Sequence, residues 1–110
     1  MIGYHETSAT YSAAGSTLAT ATPVTTRLAN VSTVAASTGV SLPVNAAAGE
    51  LCFVRNGGAN ALSVYPATSS GTINGGSAGA AVSLAVTTYK TQNSLFLCLG
   101  NDVWIQYVGA

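Results

Sequence analysis

From Asn30 onward, every short run of β-branched and aromatic residues in this chain is cut by glycine, asparagine or proline. The stretch "VRNGGANALSVYPATSSGTINGG" (54–76) is the clearest case, with Arg55 as its one charge. Such punctuation leaves little room for a helix, and no stretch of ten or more residues carries a helical apolar stripe. It suits short strands, because Gly and Asn supply the positive φ angles of tight turns. The spacing predicts strands at 31–36, 40–44, 50–55, 59–65, 80–86, 87–91, 94–99 and 103–108. The expected fold class is all-β: a single β-sandwich or small barrel, jelly-roll-like, with an extended N-terminal arm. "RNGGAN" (55–60) reads as a hairpin joining two strands. "NGGSAG" (74–79) reads as a second hairpin loop and not a phosphate loop, since neither a Lys–Ser/Thr ending nor a helix follows it.

Alternation along each strand assigns faces. In 59–65, Leu62 and Val64 point one way, while Ala61, Ser63 and Tyr65 point the other. The runs "LFLCL" and "VWIQYV" are apolar on both faces. A central strand covered on each side has that pattern, and so does a strand whose outer face meets another subunit. The low charge favours the subunit contact. Strand 103–108 then supplies candidate interface residues Trp104, Gln106 and Val108.

The first 29 residues differ from the rest. They are rich in Ala, Ser and Thr, follow neither the strand nor the helix period, and are interrupted by Pro23. Few large apolar groups are present there to offset the entropy of ordering. Residues 1–29 are expected to form an extended arm that orders on a partner, with 30–110 as the β domain. Tyr4, Tyr11 and Leu18 are the candidate contact residues of that arm, because a purely solvating tail has little use for them.

Charge narrows the function. Three basic and three acidic residues make up 5% of the chain and cancel, against about 25% in an ordinary domain. A chain of this mass exposes roughly 5,600 Å², so charges occur about once per 900 Å². Neutrality and sparse charge favour self-association. Arg27, Arg55 and Lys90 are scattered and cannot form a phosphate-tracking patch, so nucleic acid is not an expected partner. No apolar run approaches the roughly 20 residues of a membrane span. "MIGYHETSAT" lacks the basic start and apolar core of a secretion signal, and synthesis inside the cell is expected.

Chemistry is equally sparse. Three carboxylates and one histidine, His5, offer no acid–base pair, and no serine lies in a Gly-x-Ser-x-Gly elbow. No catalytic residue, cofactor or metal site is expected, and the chain reads as a non-enzyme. Cys52 and Cys98 each sit within an apolar run and read as buried, reduced thiols. A carbohydrate-binding module is the alternative, with Trp104, Tyr65, Tyr89 and Tyr107 as stacking faces.

The segment "VRNGGANALSVYPATSSGTINGGSAGAAVSL" (54–84), closed by "VWIQYV", resembles a β-rich segment of small structural proteins of tailed bacteriophages. The similarity covers roughly residues 31–108. By size the chain is most similar to the head decoration, or cement, proteins. That resemblance implies a homotrimer on the outer capsid surface of the virion, bound to the major capsid protein and clamping its joints. It carries no site residue across. The alternative within the same setting is a tail fibre or spike module that recognises a host-surface glycan.

Overall fold

The computed structural model describes residues 8–86 and 93–108. Among them there are ten strands and no helix. These are β1 (Ser8–Ser12), β2 (Thr22–Pro23), β3 (Leu28–Thr33), β4 (Gly39–Ser41), β5 (Leu51–Asn56), β6 (Leu62–Tyr65), β7 (Thr72–Ile73), β8 (Val82–Leu84), β9 (Asn93–Gly100) and β10 (Val103–Val108). They form two mixed sheets. One has the order β1-β3-β5-β9-β10-β7, the other β2-β4-β6-β8.

The path alternates between the sheets. β1, β3 and β5 run parallel in one sheet, while β2, β4 and β6 run parallel in the other. The chain therefore coils, each turn laying one strand in each sheet, from Ser8 to Leu28 to Phe53 on one side. β8 then pairs antiparallel with β6, and β9 antiparallel with β5. β9 and β10 form the one hairpin between successive strands among the described residues. Its turn places Gly100, Asn101 and Asp102 at φ of 102°, 53° and 58°, the positive values that a tight hairpin requires.

Both sheets contribute to one core. Ala29, Val31, Cys52, Val54, Phe96, Cys98 and Trp104 enter it from the six-stranded sheet, and Val40, Leu62, Val64 and Leu84 from the other. Burial alternates with period 2 in β5 and β9, as strand geometry requires, with Cys52, Val54 and Asn56, then Ser94, Phe96 and Cys98, turned inward.

The strand runs at 31–36, 40–44, 50–55, 59–65, 80–86, 94–99 and 103–108 each overlap an observed strand, the first by only half its length. The run at 87–91 lies outside the described residues. β1, β2 and β7 carry no such signal in the sequence, because their small polar residues are ordered by pairing with neighbours remote in sequence.

Two expectations are corrected here. "RNGGAN" does not close a hairpin, because β5 and β6 belong to different sheets. Asn56 is fully buried, and its side-chain amide donates to the carbonyls of Asn60 and Leu84 while its oxygen accepts from Gly58 N. Gly58 serves close approach rather than a turn, since a Cβ there would stand 2.6 Å from Val34 Cβ. "NGGSAG" likewise links β7 to β8 across the two sheets.

The second correction concerns the arm. Residues 8–29 belong to the β domain: β1 pairs with β3, β2 with β4, and Val24 is buried in the core. Tyr11 packs against that core, accepts a hydrogen bond from Thr25 N at 3.1 Å, and shares another with Thr26 Oγ1 at 2.9 Å. Leu18 is half-buried in the connection to β2. Tyr4 lies outside the described residues. The aperiodic sequence hid this, because a two-residue strand and a parallel edge strand need no alternating pattern of their own.

Candidate interaction surface

The outer face of the six-stranded sheet carries apolar side chains in rows. Leu28, Phe53, Leu95 and Tyr107 stand opposite one another across β3, β5, β9 and β10. Leu51, Leu97 and Ile105 form the next row. Leu99, exposed, follows them, at a shift in the β9–β10 register. Directly opposed residues share a face with Cβ atoms about 5 Å apart, so these side chains make one continuous surface. Arg55 marks one margin of it, donating to Asn30 Oδ1 at 2.9 Å.

Phe53 and Tyr107 remain 39% and 55% exposed. With about 200 Å² per aromatic side chain, the two alone leave on the order of 200 Å² of ring surface open. Covering that area is worth about 5 kcal/mol before association costs. The outer face therefore gains from being covered by another surface.

The strand named as an interface from sequence is on this sheet, but with the opposite parity. Trp104 is 1% exposed and belongs to the core. Gln106 shares its parity; its side chain donates to Ser94 Oγ and accepts from Asn74 Nδ2. Neither is a contact residue of the outer face. Val108 lies at the end of β10, opposite Ser94. One-residue parity decides which side of a strand faces out, and a strand apolar on both sides does not reveal it. Ile105 and Tyr107 are the residues that face outward.

The proposed stacking aromatics do not form a platform either. Trp104 is buried, and Tyr65 is half-buried with its hydroxyl donating to the Ser16 carbonyl. Tyr107 stands among the outer apolar rows, and Tyr89 lies outside the described residues.

At one end of the sheets, the loops 43–50 and 66–71 and the β9–β10 turn enclose a half-open cleft of about 500 Å³. It is lined by Pro43, Asn45, Ala46, Ala67, Thr68, Ser70, Asn101 and Asp102. Asp102 holds this end together. Its Oδ1 accepts from Ala67 N at 3.0 Å and from the Trp104 indole N–H at 2.7 Å. Its Oδ2 accepts from Thr68 N and Thr68 Oγ1, both at 2.8 Å. Gly71 is required beside it, since a Cβ there would lie 2.0 Å from Oδ2. Sequence reasoning missed this residue; the available signal was a carboxylate in the turn "GND", two residues before a tryptophan.

Next to that cleft, Arg27 and Glu50 form an ion pair. The Arg27 guanidinium, and then the hydrogen bond from Ala47 N, hold the Glu50 carboxyl below its ordinary range. Cys52 and Cys98 are free and buried on neighbouring strands. The Cys52 thiol is pushed up to about 12 by burial. Both thiols donate to carbonyls, Cys52 to Thr26 and Cys98 to Ala46. No group of three or more His, Cys, Asp or Glu among the described residues is placed to hold a metal ion.

No family model, curated protein or solved structure matches the chain.

Proposed function

We propose that this protein is a viral structural protein, a capsid decoration or cement protein that self-associates and stabilises a phage head by binding the outside of its major capsid lattice. The two sheets and their shared core are read as a β-sandwich, with a coiled strand path in place of the antiparallel strands of a jelly roll. The observation that carries the reading is the continuous apolar outer face of the six-stranded sheet, on a chain with six formal charges. A face of this kind rewards contact with a copy of itself or another protein surface. The carboxylates Glu50 and Asp102 are committed to an ion pair and to loop anchoring, which supports a mechanical role over a catalytic one. Trimeric assembly, the capsid partner and the virion setting rest on the resemblance of segment 54–84.

In this reading the outer face around Phe53 and Leu97 is buried near a symmetry axis, and other surfaces meet the shell. Each copy adds a few kcal/mol of net affinity, and many copies together resist rupture of the shell. Quantitative mass spectrometry of virus particles from the source tests the setting. A copy number in fixed simple proportion to the major capsid protein is expected, and a handful of copies or none refutes it. Phe53→Asp tests the interface. The parent chain is expected to sediment as an oligomer and the variant as a folded monomer; a parent that is monomeric at every concentration overturns self-association.

A further inference from the structure

The cleft beside Asp102 has no part in that reading. Its volume of about 500 Å³ lies in the range of small-molecule sites and holds about one to two sugar rings. Its lining is mainly polar and carries a single formal charge, Asp102.

Two of its side chains are uncommitted. Asn45 and Asn101 are exposed, and among the described residues neither side-chain amide makes a hydrogen bond within the chain. Both adopt positive φ, 59° and 53°. Glycine would serve that backbone at least as well; asparagine adds a donor and an acceptor at the rim. Thr68 and Ser70 bring hydroxyls on the opposite loop, 3.3 Å from each other. The walls are fixed in advance. Asp102 anchors the 66–71 loop through three hydrogen bonds and is itself held by a fourth from the Trp104 indole, while Cys98 Sγ–H and Gly49 N–H tie the 43–50 loop to β9.

The lining chooses the ligand. An anion would meet the Asp102 carboxylate with no basic side chain to offset it. A cation would find one carboxylate whose two oxygens already accept two hydrogen bonds each. An apolar ligand would cover the amides and hydroxyls without pairing them, at a desolvation cost. A neutral polyhydroxyl compound both donates and accepts, as Asn, Ser and Thr do. Pro43 and the neighbouring alanines provide an apolar wall for its C–H face.

We infer that this cleft is a binding site for a neutral saccharide, held by the amides of Asn45 and Asn101 and the hydroxyls of Thr68 and Ser70. Recognition is by hydrogen bonding, without aromatic stacking. The inference is independent of capsid decoration and of the outer sheet face.

Saturation-transfer NMR on the full chain tests it, with glucose, galactose, mannose and N-acetylglucosamine, their neutral disaccharides, and sialic acid as a charged comparison. Saturable transfer is expected from at least one neutral sugar and none from sialic acid. A disaccharide that binds more tightly than its monomer points to a polysaccharide chain as the source, and equal binding points to the free sugar. Asn45→Gly and Asn101→Gly delete the amides while keeping a residue at ease with positive φ. Each is expected to weaken binding about three- to tenfold with an unchanged melting transition. Absence of transfer from every neutral sugar overturns the inference. So does binding that both glycine variants leave intact, or tighter binding of sialic acid.

Discussion

Removing the Asp102 carboxylate should loosen the end of the molecule that carries the cleft, and the size of the effect follows from its four hydrogen bonds. Two of them, from Thr68 N and Thr68 Oγ1, are exposed, and those donors turn to water at little cost. The other two, from Ala67 N and the Trp104 indole, are partly buried. Each leaves an unsatisfied donor, at about 1–3 kcal/mol apiece. Asp102→Gly, which suits the φ of 58°, should therefore cost about 3 kcal/mol. Asp102→Ala should cost about 1 kcal/mol more, because a Cβ without a polar group gains nothing from the left-handed region. Against a total stability of about 5–15 kcal/mol this is a large fraction. Urea unfolding followed by Trp104 fluorescence reads it as a midpoint shift of about 1.5 M for the glycine variant, at an m-value near 2 kcal/mol/M. A loss under about 1 kcal/mol in both variants would refute the clamp, and equal losses would refute the backbone contribution.

Deleting residues 1–27 removes β1, β2, Val24 and the Tyr11 contacts, on the order of 5 kcal/mol of apolar burial; the truncated chain should lose its cooperative thermal transition, and a stable folded remainder would show that the N-terminal coil is dispensable. The Cys52 thiol, pushed up to about 12, is thiolate in about one part in ten thousand at pH 8. It should react with a thiol reagent only at the rate of global unfolding, and fast labelling in native buffer would contradict its burial.

The turn-rich pattern from Asn30 to Ala110 was enough to specify the class. The strand period puts Cys52 with Val54, and Phe96 with Cys98, on one face of each strand, and the fold makes that face the buried one. The double-sided apolarity of "VWIQYV" was legible too, and half of it does lie on an open face. Composition alone made self-association the leading expectation.

What the sequence could not decide was partnership at a distance. Gly57 and Gly58 look like a hairpin turn, yet they sit at a crossing between sheets, where the Gly58 backbone must pass close to Val34. Residues 8–29 look like an arm, yet parallel pairing with β3 and β4 orders them, and a parallel partner remote in sequence leaves no local signature. Trp104 and Tyr107 lie on the same strand, and only the side on which the second sheet packs makes one core and the other surface. Asp102 took its role from Ala67 and Thr68, brought to it by the fold. From Asn30 onward, local spacing determined most of the strand segments. Which face is inside, and which loops meet around the cleft, follows from long-range packing, because those energies belong to pairs of residues that the linear sequence keeps apart.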